Sequence, residues 1–99
     1  MAFVEVLAER ETGSGWEFDM QVMNARGELE RSTVRMGWAD YNLWSPSGSD
    51  EPWKVAEAVV EFWIERSADE ALPKSFDASL LRRKWGDADI EVPKRIGRG

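Results

Sequence analysis

Cysteine and histidine are both missing from this chain of 99 residues. Without cysteine it forms no disulfide, offers no thiolate nucleophile and gives no sulfur ligand to a metal. Without histidine it lacks the side chain that ordinarily moves protons near neutral pH, and structural zinc sites lose their remaining usual ligand. Long apolar runs are missing too, since no stretch approaches the roughly 18 residues of a membrane span. Met1-Ala2-Phe3-Val4 meets Glu5 at once and Glu9-Arg10-Glu11 ends the run, so no signal peptide is expected. A cytoplasmic protein without a membrane segment is the resulting expectation. Carboxylate sites for hard cations stay open in principle, but no metal or cofactor motif is present and none is expected to bind.

Six tryptophans stand against these absences. Hydrophobic residues make up 42% and charged residues 32%, a balance that belongs to globular rather than disordered chains. A chain this short removes only about two-thirds of its unfolded surface from water, so large rings matter to its core. Core positions are expected for four or five of Trp16, Trp38, Trp44, Trp53, Trp63 and Trp85. One domain is expected over residues 1–93, followed by a flexible basic tail at 94–99. The net charge of −6 is unevenly spread, with bases gathered at Arg82, Arg83, Lys84, Lys94, Arg95 and Arg98. An acidic protein repels nucleic acid, and no phosphate loop or zinc motif offsets that, so nucleic acid is a poor partner.

The pattern predicts an α+β fold. A three-stranded antiparallel meander, with a fourth strand as an option, precedes a long amphipathic helix and a short C-terminal helix. Residues 2–11 read as the first strand, with Val4, Val6 and Ala8 on one face and Phe3, Glu5, Leu7 and Glu9 on the other. Trp16, Phe18, Met20 and Val22 alternate with Glu17, Asp19 and Gln21, the period of a half-buried strand. Asn24 to Glu28 supplies a turn, and residues 29–38 the third strand, with Val34, Met36 and Trp38 inward. Pairing Asn24 with Glu28 puts Phe18 across from Val34, Trp16 across from Met36, Glu17 across from Arg35 and Gln21 across from Arg31. A one-residue slip would break all four matches.

Pro52 suits the first position of a helix running to about Ser67. Val55, Ala56, Val59, Val60 and Trp63 form its apolar stripe, opposite Lys54, Glu57, Glu61 and Glu65. Phe62 and Ile64 flank the stripe and imply a broad sheet contact or a second contact beneath the helix. After a connection over residues 68–75, Asp77 caps a short helix at 78–85 that Gly86 closes. Ile90 and Val92 alternate with Glu91, the signature of a short fourth strand ended by Pro93.

Catalytic motifs are scarce. No G-x-S-x-G elbow occurs, no histidine can serve a serine, and Ser49 lies five residues before Lys54 rather than at the S-x-x-K spacing. Asp87, Asp89 and Glu91 would share one face of an extended segment, able to hold a cation or act in acid–base work, but a solvated edge is the better explanation of the row. No catalytic, metal or cofactor-binding residue is therefore assigned, and enzyme activity stays undecided.

Binding is the leading expectation, as a noncatalytic protein-binding or accessory module. One candidate surface is the connection at 38–49, where Asp40, Tyr41, Asn42 and Trp44 combine polar groups with rings. The competing reading has Trp38, Leu43 and Trp44 plugging the core. The alternative is a small-molecule-binding protein or small enzyme whose pocket joins Asp40, Tyr41 and Trp44 to Arg82 or Arg83, since arginine grips carboxylate or phosphate with two parallel hydrogen bonds. A simple meander also gathers Glu5, Glu9, Glu11, Glu17 and Asp19 on its outer face. That calls for a positive cover, either Arg82-Arg83-Lys84 or a basic partner. The free edge of the apolar first strand is the better place for a partner protein or for self-association.

Overall fold

The computed structural model describes residues 3–24, 26–67 and 70–96. Strands β1 (Phe3–Thr12), β2 (Gly15–Met23) and β3 (Leu29–Gly37) form an antiparallel meander. Helices α1 (Trp38–Trp44) and α2 (Pro52–Arg66) follow, then β4 (Ser75–Asp77), α3 (Leu80–Lys84) and α4 (Ala88–Arg95). The four strands lie in the order β1-β2-β3-β4. No described helix is long and apolar enough to cross a membrane.

The β2–β3 hairpin has the register that its alternation demands, with Phe18 opposite Val34, Trp16 opposite Met36, Glu17 opposite Arg35 and Gln21 opposite Arg31. Its turn is fixed by Asn24. The Asn24 side-chain oxygen accepts from the backbone N–H of Arg26 and Glu28 at 2.9 and 3.0 Å, and Gly27 takes the positive φ of +80° that closes the loop. At the other hairpin Gly15 is required by proximity, because a Cβ there would lie 2.1 Å from the Met36 carbonyl oxygen.

Phe18, Met20, Val22, Val34 and Met36 fill the inner sheet face, and α2 covers them with Val55, Val59 and Val60. Phe62, expected on the flank, is fully buried. It serves the second contact: α2 also packs on α4, and Trp85 meets the Phe62 ring edge-on at 5.5 Å. Only Trp44 and Trp63 are buried outright; Trp16, Trp53 and Trp85 are half-buried.

Several expectations are corrected. The third strand stops at Gly37, and Trp38 opens α1 with 53% of its surface exposed rather than facing the core. The connection after it is a helix whose buried side carries Asp40, Tyr41 and Trp44. Residues 90–92 do not join the sheet. They lie inside α4, where Ala88 and Val92, four apart, are buried and Ile90 is 63% exposed. The fourth strand is β4, parallel to β3, with Phe76 beside Val34. It is held because Pro73 and Lys74 carbonyls accept from Ser32 Oγ and Thr33 N–H at 2.7 and 2.9 Å. The short helix predicted at 78–85 spans only Leu80–Lys84, with the Asp77 carboxylate accepting from Ser79 N–H at 3.0 Å just ahead of it. Of the tail expected from residue 94, Lys94 and Arg95 complete α4, and Arg95 donates to Glu65 at 2.6 Å. Residues 97–99 lie outside the described residues, as do 68–69 of the connection.

A bulge in β1 changes the charge pattern most. Val6 faces Met20 and Ala8 faces Asp19, so Leu7 and Ala8 together oppose a single position of β2. Beyond it the alternation reverses: Glu9 pairs with Phe18 and Glu11 with Trp16 on the core face, while Arg10 pairs with Glu17 on the outer face. The outer sheet face thus carries its own cation. Arg10 donates to Glu17 at 2.8 Å and to Asp19 at 3.0 Å. Arg82, Arg83 and Lys84 do not cover that face, where Phe3, Glu5, Arg31 and Arg35 remain exposed.

Candidate functional site

Two places hold chemistry worth weighing. At the first, α1, α3 and α4 meet. The α1 periodicity turns Asp40, Tyr41 and Trp44 inward, and the short α3 brings Arg82 to them. Arg82 donates through Nη2 to Asp40 Oδ1 at 2.5 Å and through Nε to Asp89 Oδ1 at 2.8 Å. The Trp44 indole N–H donates to that same Asp89 oxygen at 2.8 Å, and the guanidinium lies 5.2 Å from the Trp44 ring centre. Burial penalises the Arg82 cation, but its bonds to Asp89 and Asp40 outweigh that, so its proton is held more tightly than in free arginine.

Tyr41 sits beside this cluster in a separate network. Its hydroxyl donates to the Asp50 carbonyl at 2.5 Å, Ser45 Oγ donates to the Asp50 carboxylate at 2.7 Å, and the Tyr41 and Trp16 rings are 5.1 Å apart. The sequence-predicted residues therefore divide. Asp40, Trp44 and Arg82 converge, Tyr41 is adjacent and buried, and Asn42 and Arg83 are exposed. Asp89 was legible only as a member of an acidic row. The helical geometry of α4 breaks that row apart. Asp87 bonds Arg66, Asp89 bonds Arg82, and Glu91 accepts from Lys94 at 3.0 Å. Arg66 holds the Asp87 carboxyl below its ordinary range and Lys94 does the same for Glu91. Among the described residues no three acidic side chains are gathered to hold a metal ion.

The second place is a groove of about 470 Å³ between β1 and the start of α2. Residues 4–9 form one wall, and Trp53 and Glu57, one helical turn apart, form the other. Its volume falls in the usual range for ligand sites. Val4, Val6 and the half-buried Trp53 give it an apolar floor against the core. Trp53 donates its indole N–H to Glu51, and the Lys54 ammonium lies 5.5 Å from the Trp53 ring centre. Burial lifts the Glu57 carboxyl above its ordinary value and Glu61 adds to the effect, against a smaller opposing pull from Lys54. Because the bulge turns Glu9 toward the core side of the sheet, it joins Glu57 on this groove. The sequence marks the first strand's edge as open, but the helical wall joins residues some 50 positions away and carries no local signal.

No protein family, curated protein or solved structure matches the chain, which leaves geometry and chemistry as the guides to function.

Proposed function

We propose that this chain is a noncatalytic ligand-binding protein and that the groove between β1 and α2 takes a ligand that is partly apolar and positively charged. The observation that carries the reading is Glu57, a half-buried carboxylate without an ion-pair partner within 4 Å among the described residues, standing one turn from Trp53 on the groove wall. A buried carboxylate beside like charges is costly to keep ionised, and a cationic group over the indole relieves that cost while gaining cation–π attraction. Tryptamine, an indole bearing an aliphatic ammonium, suits a titration followed by backbone amide NMR. The expected result is saturable shifts at residues 4–9 and 53–57 that disappear in Glu57→Gln. Shifts absent from those residues would dismiss the groove.

A second reading is favoured by the convergence of Asp40, Trp44 and Arg82. There a small ligand would join the half-exposed Arg82 and Asp89, with the guanidinium or the acceptors around it making the polar contacts. The same titration distinguishes the two, since this site would instead move amides at 40–44 and 82–89.

A further inference from the structure

We infer that the groove's natural occupant is an extended peptide segment, alternating apolar and basic residues, that adds as a strand to the free edge of β1. The inference rests on the groove being the ligand site and specifies what lies in it.

Six consecutive residues of β1 line the groove. Residues on one sheet face recur only every second position, so a run of six means that the wall is the strand's edge with its peptide groups. Among the described residues β1 ends the sheet and has β2 on one side alone. The peptide groups directed away from β2 are the hydrogen-bonding row that an added strand uses. A guest of about six residues covers some 20 Å of it at strand rise. On the core side, its side chains would meet Val4, Val6 and Trp53.

Charge selects the guest. Glu5, Glu9 and Glu57 line the groove, and the nearby cation Lys54 already lies over Trp53. Arg10, the base of β1, faces the opposite side and is taken up by Glu17 and Asp19. Lysine or arginine at the core-side guest positions therefore meets Glu9 and Glu57, with its methylene stem along Val4, Val6 and Trp53. A second copy of the chain does not fit. Edge-to-edge self-pairing brings Glu5, Glu9 and Glu57 of both copies to one seam, where like charges repel.

The test uses the whole protein and an acetylated, amidated hexapeptide of alternating lysine and valine. Its fully backbone-N-methylated counterpart keeps the charges and side chains but cannot donate backbone hydrogen bonds. A third peptide replaces lysine with glutamate. Binding is read by amide NMR and by hydrogen exchange along residues 3–12. The lysine peptide should bind with slowed exchange in β1, and N-methylation should weaken it about tenfold or more. Glu9→Gln with Glu57→Gln should weaken it severalfold, and the glutamate peptide should not bind. Equal binding of the N-methylated peptide would overturn strand addition while leaving the groove as a site for cations. Loss of tryptamine binding as well would remove the groove itself. Shifts confined to residues 3–12 that grow with protein concentration alone would overturn the guest in favour of a second copy.

Discussion

Arg82 reaches Asp40, 42 positions earlier in the chain, and bonds it at 2.5 Å from a guanidinium that also holds Asp89. One planar cation thereby ties α1 to α3 and α4. Lysine carries the charge but not the fork. Because Arg82 is about one-third exposed, solvent screens the pair, and Arg82→Ala should cost about 1–2 kcal/mol rather than the larger loss of a fully buried pair. Arg82→Lys should recover less than half of that. Urea unfolding measures both, and an alanine variant as stable as the parent would show that α1 is held by packing alone.

Gly15 and Gly13 should respond oppositely to the same methyl group. At Gly15 the added Cβ meets the Met36 carbonyl, whereas at Gly13 it meets nothing within 4 Å. Gly15→Ala should lose about 1–3 kcal/mol through forced backbone movement. Gly13→Ala should be neutral or gain a few tenths of a kcal/mol, roughly, by restricting the unfolded chain. Thermal melts of the two variants side by side give the comparison, and a Gly15 variant that melts with the parent would contradict the close approach of β2 and β3.

Glu57 and Asp19 should respond to acid with opposite signs. The folded chain holds the Glu57 proton more tightly than the unfolded chain does, because burial and Glu61 raise its pKa above 4.5. Its contribution to stability is complete below that ordinary value and is lost as pH rises through the raised one. Glu57→Gln should therefore melt higher than the parent at pH 7, with the gap closing as pH falls to about 4. Asp19 is held low by its hydrogen bonds from Arg10. Its contribution is present above the ordinary 3.8 and is lost as pH falls through the lowered value. An offset in melting temperature that persists unchanged from neutral to acid in the Glu57 variant would refute the burial effect.

Arg10→Ala should bring the Asp19 carboxyl back up toward its ordinary range, since the largest influence holding it down is removed. Carboxyl carbon NMR during an acid titration reads that directly. An Asp19 titration identical to the parent's would mean that Arg10 does not face the outer side of the sheet in solution.

The parts of this fold legible in sequence are those whose pattern is long and redundant. Phe18 with Val34 and Glu17 with Arg35 agree on one register through both faces at once, and Val55 to Trp63 repeat over more than two helical turns. α1 spans seven residues with no side-chain cap, too short for a period to stand out from a loop. In α4, Ile90 and Val92 alternate as a strand would, and Pro93 strengthens that misreading. Burial of Ala88 and Val92 and the contact between α4 and α2 decide for the helix. Of the polar centre, Asp40, Trp44 and Arg82 could be named as residue types suited to binding. Asp89, the acceptor shared by Trp44 and Arg82, could not, because it reaches them only once α4 is helical. The Glu9 side of the groove was hidden by the bulge, which period-two counting passes over.

That bulge gives β1 ten residues across from the nine of β2. One residue of the strand is therefore surplus to its pairing. Loss of Leu7 or of Ala8 leaves Val6 opposite Met20 and Glu9 opposite Phe18, with Arg10 still outward. A deletion elsewhere in β1 turns over every side chain between the gap and the bulge. The strand has a built-in place where its length can change by one without changing which residues face the core, and a chain one residue shorter there would keep both its acidic groove and its outward arginine.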